Sequence, residues 1–191
     1  MSRQVAVRPL PVTGFSANRL ERVFLACFED FNVRLQGGAS EPLYQPAKDR
    51  GGQHVLFYRE DYFASALHEI SHWCIAGAKR RQQLDFGYWY TPDGRNADQQ
   101  KAFEAVEYKP QALEWVFSRA CGYRFRLSLD NLSAGHAADT RQFRRRVVVQ
   151  IARWQNTGLP VRADAFYRAL SIEFDTGDTF QHCPFTLAEL D

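Results

Sequence analysis

Residues 61–77 read DYFASALHEISHWCIAG. Phe63, Leu67, Ile70 and Cys74 recur at helical spacing, so residues 61–76 are expected to form one helix, with Gly77 as its stop. Within it, His68-Glu69-Ile70-Ser71-His72 places two histidines four residues apart. Such residues stand one above the other, about 6 Å along the axis, so both imidazoles can reach one ion. Glu69 and Ser71 do not compete for that face. The pattern predicts a metal site on a core helix.

The neighbouring segments suggest how that helix is housed. His54-Val55-Leu56-Phe57-Tyr58-Arg59 before it is a strand candidate, as is Asp85-Phe86-Gly87-Tyr88-Trp89-Tyr90 after it, closed by the turn signal Thr91-Pro92-Asp93-Gly94. Upstream, Ser16 can cap a helix whose stripe is Leu20, Val23, Phe24, Cys27, Phe28, Phe31 and Leu35, ended by Gly37-Gly38. Residues 37–53 read as a long surface loop. Downstream, residues 97–121 are helical in pattern, with Pro110 expected to kink or divide them and Gly122 to stop them. Residues 124–129 are a third strand candidate. Residues 139–157 form an amphipathic helix on Phe143, Val147, Ile151 and Trp154, and 162–174 a last helix. The expected fold is α+β, mostly helical with a small sheet around a metalloprotease-like H-E-x-x-H helix. Residues 1–15 read as a flexible arm and 16–191 as a single domain.

Composition narrows the function classes. The 191 residues are 45% hydrophobic, with 15 Phe, 8 Tyr and 4 Trp, enough for an aromatic core without disulfides. Lys and Arg number 24 against 22 Asp and Glu, a balance that excludes a dedicated nucleic-acid binder, and no direct nucleic-acid partner is expected. Lys79, Arg80 and Arg81 are a local exception: a solvated basic face, or a docking point for an acidic protein. The cysteines at 27, 74, 121 and 183 contain no C-x-x-C, so neither a zinc ribbon nor a thioredoxin-type site is supported. A reduced, cytoplasmic protein is expected, with neither a signal peptide nor a membrane span. His54, His136 and His182 receive no role.

An open metal site needs a third protein ligand. The metzincin extension is absent, because Ile75 stands at its glycine position and Ala78 at its third histidine. Phe103-Glu104-Ala105-Val106-Glu107 instead offers two carboxylates three apart, beginning 32 residues after His72. Phe103 and Val106 turn that helix inward, and a buried carboxylate must be paired or ligate a cation. Glu107 is the preferred ligand, Glu104 a supporting or substitute one, and Glu114 a weaker candidate. Two His and one carboxylate serve two chemistries. With Zn²⁺ and Glu69 as general base they activate water for hydrolysis; with Fe²⁺ they activate dioxygen for hydroxylation. Spacing does not choose between them.

The run from Tyr62 to Gly77 also resembles the signature of the elongation factor P hydroxylase family. Similar to it as well are Asp85-Phe86-Gly87-Tyr88-Trp89-Tyr90, Pro92-Asp93-Gly94-Arg95, Phe103-Glu104 with Val106-Glu107, and Lys109-Pro110-Gln111-Ala112-Leu113-Glu114-Trp115. Glu41-Pro42-Leu43-Tyr44 and Phe143-Arg144-Arg145-Arg146-Val147 match too. The resemblance implies a bacterial enzyme that hydroxylates the lysine of elongation factor P already carrying a β-lysyl group. It further implies a non-haem His-His-Glu centre, mapped here onto His68, His72 and Glu107, with Fe²⁺ as the metal. Zn²⁺ is also expected to occupy such a site on purification. Glu69 then orients a water or oxygen ligand, or supports one by a hydrogen bond. One face of Tyr88, Trp89 and Tyr90 can line the pocket for the lysine stem, although core packing is the favoured explanation.

Overall fold

The computed structural model describes residues 14–85, 97–128, 137–177 and 180–190. Its helices are α1 (Ala17–Cys27), α2 (Phe63–Ile75), α3 (Ala97–Ala120), α4 (Ala137–Thr157) and α5 (Val161–Phe174). Strands β1 (Val33–Ala39), β2 (Leu43–Gln45) and β3 (His54–Arg59) form one sheet in the order β1-β3-β2. β1 runs parallel to β3 and β2 antiparallel to it. The fold is therefore α+β and mostly helical. No described helix is long and apolar enough to cross a membrane.

α2 is central, packed against β3 and against α1, α3 and α5. Its apolar stripe ends in Trp73, whose ring centroid lies 5.2 Å from that of Phe24, 4.7 Å from Phe28 and 5.4 Å from Phe31. Ser71, fully buried, returns its hydroxyl to Leu67 O at 2.8 Å and so spends its donor inside the helix. At the C-terminal end, Ala76 O accepts from Arg81 Nη1 at 2.7 Å and from Arg162 Nη2 at 2.5 Å; Arg162 also reaches Trp73 O at 3.2 Å. Two guanidinium groups thus satisfy the last carbonyls and complement the negative end of the helix dipole.

Several expectations need correction. The helix expected from Ser16 through Leu35 ends at Cys27; a 3₁₀ turn (Glu29–Phe31) follows, and Asn32 takes a left-handed conformation at φ 47. Its side chain donates to Gly52 O at 2.8 Å, pinning the turn from which β1 starts. Leu35 therefore belongs to a strand, buried in alternation with exposed Arg34. Gly37 and Gly38 lie within β1 and stop nothing, and the expected loop contains β2. α2 begins at Phe63, two residues after the expected start.

Pro110 does not divide α3, which runs continuously past it. Gly122 does end that helix, at φ +67, with Tyr123 N–H donating back to Ser118 O at 2.8 Å. Residues 124–128 form no strand. Buried Gln111 supplies the hydrogen bonds a neighbouring strand would have made: its Nε2 donates to Ser128 O at 2.9 Å, and its Oε1 accepts from Ser128 N–H at 3.1 Å. Of the strand expected at 85–90, Asp85 pairs as an isolated bridge with Tyr44. The remainder, with Tyr88, Trp89, Tyr90 and the Thr91–Gly94 turn, lies outside the described residues, as do His136 and residues 1–13. Phe15, assigned to the arm, packs its ring against Phe63 and Tyr123 at 5.5 and 5.0 Å.

Gly37 is required by space. A Cβ there would sit 2.6 Å from Glu60 O and 2.7 Å from the Tyr58 ring and hydroxyl. Its N–H donates to Glu21 Oε1 at 3.0 Å, the oxygen that also accepts from Tyr58 OH at 3.0 Å. Gly37→Ala must push β1 away from buried Tyr58, at about 1–3 kcal/mol. Denaturant unfolding should show this loss; an unchanged midpoint would mean that β1 yields freely.

Candidate metal centre

α2 and α3 cross so that His68 and His72 face Glu107. His68 Nε2 and His72 Nε2 are 3.1 Å apart. The Glu107 carboxylate straddles them, with Oε1 3.3 Å from His72 Nε2 and Oε2 3.5 Å from His68 Nε2. Glu107 is 2% exposed, far from an ordinary helix-surface acid. Two donors about 2.0–2.1 Å from one ion lie about 2.9–3.4 Å apart at angles between octahedral and tetrahedral. The two imidazole nitrogens stand at such a spacing, and one ligand atom from each of the three residues lies within 4.8 Å of the others, close enough to converge on one ion. Two nitrogens and a carboxylate oxygen suit Zn²⁺ or Fe²⁺. Among the described residues, these three are the group whose ligand atoms come within metal-binding reach of one another.

Behind the triangle, Glu114 Oε2 lies 2.8 Å from His68 Nδ1. Glu114 is buried. Expected as a weaker ligand candidate, it lies outside the triangle and partners the far ring nitrogen. It accepts the Nδ1 proton, so that when a metal displaces the Nε2 proton the Nε2 lone pair faces Glu107 and His72, the arrangement common behind metal-bound histidines. Glu107 and Glu114 are seven apart on α3 and so share a face; that spacing was the available signal. Glu104, also buried, accepts from Gln100 Nε2 at 3.1 Å and lies outside the triangle. Glu69 lines a small cavity beside His72 together with Tyr44, Leu56, Trp73 and Arg81. Tyr44 and Leu56, contributed by the sheet, carry no chemical signature in sequence.

Three carboxylates and two imidazoles in one buried cluster perturb each other strongly. Burial opposes charge on His68, yet the hydrogen bond it donates to Glu114 and the charges of Glu114, Glu107 and Glu69 raise its pKa to about 10. Burial also opposes charge on Glu107, but His72 and His68, with a hydrogen bond from Gln111, lower it to about 2. Burial raises Glu69 and Glu114. The proton shared by His68 and Glu114 belongs on the ring, which several carboxylates face. A divalent cation supplies the positive charge these carboxylates otherwise draw from protons, so the donor chemistry fits the ion.

The sign of the pH dependence follows. His68 is raised from 6.5 to about 10, so its contribution to stability is complete below pH 6.5 and lost as pH rises through about 10. Glu107 is lowered from 4.5 to about 2, so its contribution is present above pH 4.5 and lost as pH falls through about 2. The metal-free protein should therefore lose Tm from about pH 6.5 upward, and added Zn²⁺ should raise Tm more at pH 9 than at pH 6 because binding expels the ring proton. Calorimetric scans across pH check this; a zinc-induced shift that shrinks with rising pH would contradict it.

A model of the family described as elongation factor P hydroxylase matches residues 23–183, which include every residue of the triangle. The chain belongs to the elongation factor P hydroxylase family. The elongation factor P lysine hydroxylase of Haemophilus influenzae is 43% identical over 164 residues, covering 85% of this chain and 92% of that protein. The match spans both helices that bring the triangle together, so the metal-centre geometry belongs to the region the family shares.

Proposed function

We propose that the protein hydroxylates the β-lysylated lysine of elongation factor P at a centre in which His68, His72 and Glu107 hold Fe²⁺. The observation that carries this reading is the His-His-Glu triangle, its carboxylate buried and its rings half-buried, within a chain of this family. Iron(II) bound there supplies redox chemistry with dioxygen that side chains lack. The chain's own residues do the rest. Glu114 fixes the His68 ring through Nδ1. Glu69, whose pKa burial raises, lies beside His72 at the inner cavity, placed to exchange a proton there. Leu56 and Trp73 wall the cavity and limit water.

The same donors with Zn²⁺ and Glu69 as general base would suit hydrolysis of an amide. Family membership supports hydroxylation over that alternative. A translation factor as substrate places the enzyme in the cytoplasm, where its four free cysteines stay reduced. The test is intact-mass analysis of elongation factor P from a strain lacking this gene. The factor should retain its β-lysyl group and lack one oxygen atom; an unchanged mass would refute the proposal.

A further inference from the structure

Beyond the metal centre, α2 leads into an open groove. A space of about 290 Å³ begins at His72 and passes Ile75, Gly77, Val106 and Lys109. It is continuous, through Ile75, Ala76, Gly77 and Lys109, with a larger one of about 810 Å³ that extends over Trp154 and Leu159 to Val161. Together they reach the size that encloses a drug-sized ligand, and thus a few residues of peptide.

The charge of this groove is one-sided. Arg80, Arg81, Lys109, Arg153 and Arg162 line it, and no Asp or Glu does among the described residues. Arg80 is offset by Asp85, whereas among the described residues Arg81 and Arg162 meet helix carbonyls and aromatic faces. Lys109 and Arg153 are exposed. At the His72 end the sign reverses, because Glu69 and Glu107 sit there. A chain suited to this pattern presents a cation to the inner end and acidic residues along the outer one.

We propose that the groove from His72 to Arg153 and Arg162 is the docking surface for an acidic polypeptide segment beside the lysine that enters the metal centre. This rests on the hydroxylase reading and adds to it the means of recognition. The side chain to be modified is cationic, so a basic groove would repel it unless the flanking segment carried compensating acids. The apolar contacts favour a polypeptide over nucleic acid. Val161 is 87% exposed at the rim, Leu159 and Pro160 are half-buried, and among the described residues the lining offers no row of exposed aromatic rings on which bases could stack.

The test compares Lys109→Glu/Arg153→Glu with a charge-matched control, Arg34→Glu/Arg168→Glu, whose residues are exposed and outside the groove. All are assayed as metal-loaded full-length protein with β-lysylated elongation factor P. In the groove variant KM should rise about tenfold or more at low salt, with kcat within about twofold, because the lost charges act on encounter and docking. Lys109→Gln/Arg153→Gln should show a smaller rise in the same direction. Raising salt from about 0.02 to about 0.2 M should weaken the wild type and narrow the difference. An unchanged KM, or an equal rise in the control, would overturn the proposal. So would unchanged KM with lost binding of a transfer-RNA probe, which would assign the groove to nucleic acid. Failure of the wild type to oxygenate the factor would instead refute the hydroxylase reading.

Discussion

His72→Ala should abolish both bound metal and activity while the protein remains folded. The ring is one of the three proposed donors, and His68, His72 and Glu107 are the group among the described residues whose ligand atoms gather within 4.8 Å. Loss of a donor should cost more than loss of a supporting partner, which typically weakens affinity about 10–100-fold. His68→Ala removes the same kind of donor but also strands Glu114, a buried carboxyl whose partner is His68 Nδ1 at 2.8 Å. It should therefore lose stability as well as metal, by about 1–3 kcal/mol for an unsatisfied buried group. Glu107→Ala should likewise weaken metal binding more than Glu104→Ala, because Glu104 lies outside the triangle. Metal titration followed by calorimetry or competition with a chromophoric chelator measures each variant. Near-stoichiometric metal in His72→Ala, or a reversed order for the two glutamates, would remove this assignment.

Trp73→Ala should be the most damaging single change to the scaffold, at about 3–5 kcal/mol. The indole is 3% exposed and joins Phe24, Phe28 and Phe31 into one aromatic cluster, so truncation leaves a cavity that three elements cannot easily collapse into. It also removes the face on which the Arg162 guanidinium lies, 5.0 Å from the ring centroid, while that arginine holds the last carbonyls of α2. Trp73 follows His72 directly, so a looser helix end should also weaken metal binding. Denaturant unfolding reads the first effect and metal titration the second. Trp73→Phe should recover most of the stability. A midpoint for Trp73→Ala within experimental error of the wild type would show that α2 is held by other contacts.

The centre was legible because two periodicities agree at α2. The helical stripe places the segment in the core, and the four-residue spacing aligns the two histidines. Glu107 was legible because Phe103 turns its face of α3 inward. The part played by Glu114 was not, since it depends on where α2 crosses α3 and which nitrogen of His68 turns toward the site. The sheet was harder to read. Phe28, Phe31 and Leu35 satisfy a helical period, and only the left-handed Asn32, fixed by its hydrogen bond to Gly52, moves Leu35 into a strand. β2, three residues long, is too short to show a period. The strand expected at 124–129 is absent over its described residues, 124–128, for another reason: buried Gln111 satisfies the backbone of Ser128 through its side-chain amide, and nothing in the local sequence signals that distant partner.

The central claim is oxygen insertion at a His-His-Glu iron centre. Zn²⁺ often outcompetes Fe²⁺ at such donors, so the metal found on purification does not decide the chemistry. Turnover does. Metal-free protein given Fe²⁺, dioxygen and a reductant should add one oxygen atom to β-lysylated elongation factor P, read by intact mass and localised to the modified lysine by fragmentation. Zn²⁺ should inhibit, because it has no accessible redox states, and the unmodified factor should react poorly. Anaerobic turnover with Zn²⁺ alone, releasing a cleaved peptide or amide, would contradict the account.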